Sequence, residues 1–422
     1  MTKICIVGAG VIGCSTALYL TRLGHQVVLV DQQAVAGLES SFGNGGQLSY
    51  SYVAPLASPT IIRKLPSLLI QSDPPLKITP KFDLNQWRWC LNFLKSCTTV
   101  RWNKNFADLF RLSALSRFET NQLVADSLFD FDFRHSGKLV FFRDQLSFES
   151  AINQLELQAK LGCEQYALSG DECISREPAL AVLRTSIAGG IFTPSDDCGD
   201  CHKFTLGLFA YLRSLENFEA ELSFPVNSFR QEGRRVRALV GPNGEIEADE
   251  FVIAAGNGSK RLAATLDYNL PIYPLGGYSL TAPVGASTAE LNVSVTDSDR
   301  KVVYVRLGER IRAAAMVDLG GVSTQVKERR IWQLRREVSL IFPKLELDSA
   351  TAWVGYRPAT PDGKPIIGRL GDTNVWLNVG HGALGFTLAC GSAKLLSDLI
   401  GTSATGCDRN AFELDPARHK FF

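Results

Sequence analysis

The spacing of apolar residues changes several times along the chain, and each change predicts an element. Ile4 to Val7 is an unbroken apolar run, the pattern of a strand buried on both faces in a parallel sheet. "STALYLTRLGH" then carries apolar residues at helical spacing and stops at Gly24, and "QVVLVD" is a second buried strand ending in Asp31. From 85 to 128 the period is helical, and "LNQWRWCLNFLKSC" sets Trp87, Leu91 and Leu94 on one stripe. "SGKLVFFRD" predicts a strand and "SFESAINQLELQAKLG" an amphipathic helix stopped by Gly162. "HKFTLGLFAYLRSL" predicts another helix, followed by two short strands and then by "EIEADEFVIAAGNGS", one strand ending on Ala254, Ala255 and Gly256. "YPLGGYSLTAPV" and "KVVYVRLGERIRAAAMVDLGG" alternate as antiparallel strands with a turn at "LGER". "VKERRIWQLRREVSLIF" is helical, and a strand at "NVWLNV" precedes a last long helix.

Between the first strand and its helix, Gly8, Gly10 and Gly13 form G-x-G-x-x-G with Val11 and Ile12 inside it, and Asp31 follows 23 residues after Gly8. Gly8 permits the tight turn, Gly10 lets backbone N–H groups approach a pyrophosphate, and Gly13 lets the helix pack closely on the strand. Asp31, at the tip of the second strand, can accept hydrogen bonds from an adenosine ribose. Strand, glycines, helix, strand and acid occur in the order a dinucleotide site requires. NAD and FAD both use that arrangement. "ESSFGNGGQLS", residues 39 to 49, bears on the choice: its glycines let backbone lie against a flat ligand while Ser40 and Ser41 donate to phosphate. A flexible surface loop is the alternative reading.

Near the C-terminus, "WVGYRPATPDGKPIIGR" places Arg357 beside Pro358, where packing can hold it rigid. A planar guanidinium suits bidentate capture of a carboxylate, with a structural salt bridge as the alternative. Gly380, Gly382 and Gly385 precede the last helix, whose N-terminus favours negative charge; aimed at a flavin's N1–C2=O edge it would stabilise the reduced ring. His381 between them is either a site residue or a cap.

A chain of 422 residues exceeds one ordinary core. The pattern predicts an α/β protein. A discontinuous Rossmann-type cofactor domain (1–85, 190–270 and 350–422) is interleaved with an α+β substrate domain built on an antiparallel sheet (86–189 and 271–349). Forty-four basic residues balance forty-three acidic ones, which gives no field to attract nucleic acid, and "KERRIWQLRR" reads as the solvated face of a helix. "MTKICIVGAGVIG" shows no export signal and no apolar run reaches the ~18 residues of a membrane span. The expectations are therefore no transmembrane segment, a cytoplasmic location and ten free cysteines. Trp87, Trp89, Phe93 and Trp102 form either packing contacts or a membrane-surface or quinone-facing patch. No metal site is expected. Cys198, Cys201 and His202 spell C-x-x-C-H, but haem attachment needs export and zinc needs a second ligand pair, so Asp200 is read as the cap of the next helix and the thiols as bystanders, a disulfide under oxidation remaining open.

The ordered set "VGAGVIG", "SSFGNGGQLS", "YPLGGYSLT", "WVGYRPATPDGKPIIGR" and "NVGHGALGFTLACGS" resembles the FAD-dependent D-amino-acid oxidase-like superfamily of glycine and sarcosine oxidases, and within it the bacterial D-amino-acid dehydrogenase small subunits, from residue 1 to about 400. The resemblance implies that Gly8, Gly10, Gly13 and Asp31 hold the ADP half of FAD, with Val226, Ala255 and Gly256 along it. It implies that Ser40, Ser41, Asn44, Gly45, Gly46 and Gln47 line pyrophosphate and flavin, and that Gly380, His381, Gly382, Ala383, Leu384 and Gly385 flank the flavin's pyrimidine end. Arg357 would bind the substrate carboxylate, and Tyr278, Tyr50 and Tyr52 would close over the substrate. The segment "GYRPATPD" lacks the cysteine that holds flavin covalently in some sarcosine oxidases, so FAD is expected to be dissociable. Ala383 stands where glycine oxidase has a second arginine, and Ser51 where the similar dehydrogenases have glycine.

The expected reaction is hydride transfer from a D-amino acid's Cα to flavin N5, leaving an imine that hydrolyses to a 2-oxo acid and ammonia. A dehydrogenase of cyclic imino acids such as D-proline or cis-4-hydroxy-D-proline, a non-enzymatic flavin-binding redox-partner subunit and a plain NAD dehydrogenase are the alternatives. The expected electron acceptor is a quinone or membrane chain, reached by peripheral contact at the inner face of the cytoplasmic membrane.

Overall fold

The computed structural model describes residues 1–62, 74–160, 162–285, 290–320, 322, 327–402 and 414–419. The apolar runs at the N-terminus become the centre of a six-stranded sheet, in the order Ile366–Arg369, Val375–Val379, Glu250–Ile253, Lys3–Val7, Gln26–Val30 and Phe218–Glu221. All neighbours are parallel except the first two. Continuous apolar sequence is what burial on both faces demands. On one face the helices Val11–Arg22, Cys201–Leu212 and Gly385–Thr402 bury Leu18, Leu20, Leu208, Leu388 and Leu396. On the other, a three-stranded meander (Ser228–Glu232, Arg235–Gly241 and Gly244–Glu247) packs Phe229, Val236 and Leu239 against Cys5, Val7, Phe251 and Ile253.

A second, nine-stranded sheet runs Thr351–Ala359, Tyr273–Pro283, Arg310–Leu319, Val302–Leu307, Ser294–Asp297, Lys138–Phe142, Gly189–Thr193 and Tyr166–Ser169, with Leu76–Ile78 paired alongside Arg310–Leu319. The turn at "LGER" joins two of these strands, and Gly308 there has a φ of +56°. The helix Glu328–Ile341 covers the sheet through Leu334 and Val338, beside the fully buried Tyr304 and Phe342. The α/β class is as the sequence predicts; the second sheet is mostly antiparallel, but Ser294–Asp297 pairs parallel with Lys138–Phe142, and Leu76–Ile78 parallel with Arg310–Leu319.

The details differ in four places. The helical stretch expected from 85 to 128 is two helices, Leu84–Ser96 and Thr99–Asp126, because the Thr98 hydroxyl accepts from Arg101 N and caps a fresh start. "EIEADEFVI" divides after Glu247 into strands of different sheets, and three strands rather than two precede it. Thr351–Ala359 is the edge of the nine-stranded sheet although 350–422 is expected in the cofactor domain, and Gly189–Thr193 also lies there. Conversely, Phe106, Leu109 and Leu112 of the helix Thr99–Asp126 share a core with the Val11–Arg22 and Gly385–Thr402 helices, although 86–189 is expected in the other domain. Apolar periodicity says that a segment packs; it does not say against which layer.

The Asp200 carboxylate accepts from His202 N and Lys203 N and caps the helix Cys201–Leu212, as expected, while Cys198 and Cys201 lie buried with free thiols. Among the described residues no cluster suits a metal ion. One stretch among them, Gly382–Gly401, is long and apolar enough to cross a membrane, and most of it is buried in the core.

Candidate active site

A cavity of about 610 Å³ opens between the two sheets, lined by strand ends and glycine turns of the first and by the face of the second. At one end lies the first glycine turn. Gly8 has a φ of +115°, and a Cβ there would come within 2.5 Å of the Ala254 carbonyl oxygen. A Cβ on Gly13 would fall on the Gly8 carbonyl oxygen, so Gly13 does not line the cavity; it lets the helix Val11–Arg22 sit against the turn. Gly10, Val11, Ile12 and Asp31 do line it. Asp31 already accepts from Ala9 N (2.6 Å) and Gln33 N (2.8 Å), so its carboxylate braces the turn as well as facing the cavity. Val226, Ala255 and Gly256 complete this end, together with Arg261, which donates to the Val226 carbonyl at 2.7 Å.

The 39–49 segment is a structured wall, not a loose loop. Ser41 Oγ accepts from Val11 N at 3.0 Å, whereas Ser40 Oγ donates to the Tyr356 carbonyl at 2.7 Å. Of the two serines expected to donate to phosphate, Ser40 is committed to a backbone carbonyl, and Ser41 lies beside both Val11 N and the Cys201 thiol. Asn44 Oδ1 accepts from Gly46 N, and Gly46, at a φ of +73°, makes the turn without lining the cavity; Asn44, Gly45 and Gln47 line it. Gln47 Nε2 is anchored on Ser294 Oγ at 2.7 Å.

At the far end, Gly380 and Gly382 take φ values of +80° and +56° and lead into the helix that starts at Gly385. His381, Ala383 and Leu384 line the cavity with them. His381 is buried, its Nε2 has no protein partner, and burial lowers its pKa to about 3, so the ring is neutral. Asn378 Oδ1 and Asn257 Oδ1, also in the wall, are buried and unpartnered too. Buried polar atoms without partners are costly in a finished core, so these three mark where a polar ligand completes the structure. An elongated group with a phosphate at the helix N-terminus and a heterocycle against His381 and Asn378 meets that need, which is the shape and chemistry of a flavin dinucleotide.

Beside that end stands Arg357. Its Nη1 donates to the Met316 carbonyl at 2.9 Å, and among the described residues no carboxylate pairs with it. Burial lowers its pKa, but a guanidinium keeps its charge. The salt-bridge alternative is thereby set aside.

The tyrosines separate. Tyr52 lines the cavity, with Lys138 Nζ 4.4 Å from its ring centroid. Tyr278 lines it with its ring, but its hydroxyl donates to Asp318 Oδ2 at 3.0 Å, and Asp318 in turn binds Arg330 and Lys327. Tyr50 is outside the cavity: it is buried in the same core as the helix Thr99–Asp126, whose Ser113 donates to its carbonyl. The expectation that Tyr50 closes over a substrate is overturned by this packing, and Tyr278 belongs to the wall rather than to a lid.

Sequence reasoning passed over Lys138, Trp353, Tyr356, Met316 and Thr387, all of which line the cavity. Lys138 carried a signal: a lysine opening the apolar run "KLVFF". It is buried, donates to Ser49 Oγ at 2.8 Å, and burial lowers its pKa to about 8 against the pull of Asp196, itself raised to about 6 by burial. Trp353 and Arg357 share a face of one strand, which period-two spacing makes legible once the strand is known.

The family model described as FAD dependent oxidoreductase matches residues 3–399. The chain is 45% identical over 412 residues to D-amino acid dehydrogenase 2 of Ralstonia nicotianae, covering 95% of this chain and 97% of that one. It is 43% identical to D-amino acid dehydrogenase 2 of Pseudomonas aeruginosa, covering 96% of each. Glycine oxidase from Geobacillus kaustophilus has the same fold, with a TM-score of 0.76 at 19% identity and 99% of both chains covered. Glycine turn, polar wall and full-length match agree: the chain belongs to the FAD dependent oxidoreductase family and is an FAD-dependent enzyme.

Proposed function

We propose that this enzyme dehydrogenates D-amino acids to imines, which water hydrolyses to 2-oxo acids and ammonia. The observation that carries the reading is Arg357, a charged, half-buried guanidinium in the cavity wall with no carboxylate partner among the described residues. A substrate carboxylate would supply that partner through charge-assisted hydrogen bonds. Relatives that cover nearly the whole chain are named D-amino acid dehydrogenases, which supports this substrate class. When bound, FAD supplies the two-electron acceptor, taking hydride at N5. Gly8, Gly10, Asp31 and Ser41 would hold its ADP half, and Gly45, Gln47 and residues 380–385 its flavin half; no cysteine lies in "GYRPATPD" to hold it covalently.

Arg357 holds the carboxylate and so fixes the Cα–H. The neutral amine's lone pair forms C=N as the hydrogen departs with its bonding pair. His381 stays neutral and is not needed as a base, so the protein's contribution is orientation and exclusion of water.

We further propose that the electrons leave to a quinone of a membrane to which the enzyme binds peripherally. Phe82, Leu84, Trp87 and Leu91 are all exposed on and beside the helix Leu84–Ser96, among the basic Lys81, Arg88 and Lys95. An exposed apolar face rimmed by cations suits an anionic lipid surface. Trp89 and Phe93, by contrast, stack on each other at 5.3 Å, and Trp102 stacks on Phe106; these three aromatics serve packing.

The test is anaerobic bleaching of the flavin by a panel of D- and L-amino acids and cyclic imino acids, on the parent and on Arg357→Ala. D-amino acids are expected to bleach the parent, and Arg357→Ala to raise KM roughly 100-fold, the worth of a strong charged hydrogen-bond pair. Bleaching by cyclic imino acids alone would move the substrate class, and bleaching by none of them would leave a flavin-binding redox partner.

A further inference from the structure

The cavity floor beneath Arg357 is formed by two paired strands. The strand Thr351–Ala359 pairs antiparallel with Tyr273–Pro283, setting Gly355 opposite Gly277 and Arg357 opposite Leu275. Trp353, Gly355 and Arg357 fall on one face by the period-two rule, and all three line the cavity with Gly277. A Cβ on Gly355 would fall on the Trp353 ring, and a Cβ on Gly277 would fall on the guanidinium of Arg357. Two glycines facing each other therefore leave a gap in the sheet surface: the indole lies over one and the guanidinium over the other.

On its other side, Tyr273–Pro283 pairs with Arg310–Leu319, and the register breaks between Gly276 and Tyr278: Gly276 faces Asp318, but Tyr278 faces Ala315. The break falls at Gly277 on one strand and at Met316 and Val317 on the other. Met316 takes a φ of +68°, a conformation uncommon for any residue but glycine, asparagine or aspartate. Its carbonyl is the group that receives Arg357 Nη1 at 2.9 Å. Bulges re-aim groups beside active sites, and a strained residue persists only where its surroundings hold it.

We propose that the Gly277–Met316 bulge is the seat of the substrate-binding arginine. Gly277 is a positioning residue that makes room for the guanidinium, and the Met316 carbonyl turns one N–H inward so that the rest of the fork faces the substrate. This rests on the reading of Arg357 as the carboxylate anchor. Gly277 has no positive φ, so alanine fits its backbone, and what its Cβ displaces is the end of a long side chain. The fold should survive while the arginine moves.

The experiment compares the parent with Gly277→Ala, Arg357→Ala and the double variant, all loaded with FAD. It measures KM and kcat for D-alanine, calorimetric binding of propionate and of uncharged propionamide, FAD affinity and thermal midpoint. Gly277→Ala is expected to weaken propionate and raise KM roughly 10–100-fold, with kcat falling as well because the displaced arginine no longer fixes the Cα–H, while propionamide, FAD affinity and midpoint change far less. Adding it to Arg357→Ala should cost nothing more, since both act through one group. If Arg357→Ala loses propionate and Gly277→Ala keeps it, the seat is refuted while the arginine's role stands. If Arg357→Ala keeps propionate, the arginine's role fails and the seat with it. Equal loss of propionate and propionamide in Gly277→Ala would mean a damaged pocket and would also refute the seat.

Discussion

His381 shows how much burial changes one side chain's chemistry. With its pKa lowered to about 3 from 6.5, it binds a proton more weakly in the folded state than in the unfolded one. Between those values the unfolded chain carries the extra proton, so stability rises with pH through that window and is lost as pH falls. Near pH 5 a shift of this size amounts to about 2 kcal/mol. Replacing His381 with glutamine, which cannot titrate, is expected to flatten the fall in thermal midpoint between pH 7 and 5, measured with saturating FAD on both proteins. Parallel melting curves across that range would show that His381 is not the buried neutral ring described. At this scale the sequence is only partly legible. Gly8 and Gly13 need their glycines for reasons visible in the motif alone, because strand, turn and helix are local. Lys138, Met316 and Trp353 reach the cavity through pairing of distant strands, which no local spacing reveals.

The helix Leu84–Ser96 makes the same point for an element. Its stripe of Trp87, Leu91 and Leu94 is plain in the sequence, and the ordinary inference is that such a stripe faces the core. Here all three are exposed, at 50, 58 and 43%, while Trp89 on another face is buried and donates to the Ala359 carbonyl at 2.9 Å. The pattern marks an amphipathic helix correctly but does not say that the apolar side meets solvent. If that side meets lipid, the enzyme should float with vesicles of phosphatidylglycerol and not with phosphatidylcholine, and salt should weaken the binding. Trp87→Ser with Leu91→Ser should reduce flotation by roughly tenfold or more, from the lost apolar contact, without changing flavin content. Flotation unchanged by both substitutions would place the contact elsewhere, and self-association of the parent, relieved by them, would make this a protein interface.

The two large sheets enclose a cavity between them, and that arrangement decides how cofactor and fold depend on each other. Strands are legible at both ends and in the middle of the chain (Ile4 to Val7, "QVVLVD", "EIEADEFVI" and "NVWLNV"), so the discontinuous Rossmann layer is legible in outline; the assignment of Thr351–Ala359 and of the helix Thr99–Asp126 to layers is not, since it depends on non-local packing. The cavity wall draws on both layers, from Gly8 and Gly380 on one to Gly277 and Met316 on the other. A ligand that spans it holds them together and leaves His381, Asn378 and Asn257 no longer short of partners. Such a ligand binds only the folded chain, so stability should grow with the logarithm of free FAD, by about 2.7 kcal/mol at a hundredfold excess over Kd. Melting in rising FAD is expected to show a midpoint that climbs without a plateau. Acid precipitation should then leave the yellow colour in the supernatant, because "GYRPATPD" offers no thiol for a flavin bond. A midpoint indifferent to FAD, with the colour retained in the pellet, would mean a covalent link formed elsewhere in the wall, where Cys201 is a thiol that lines it.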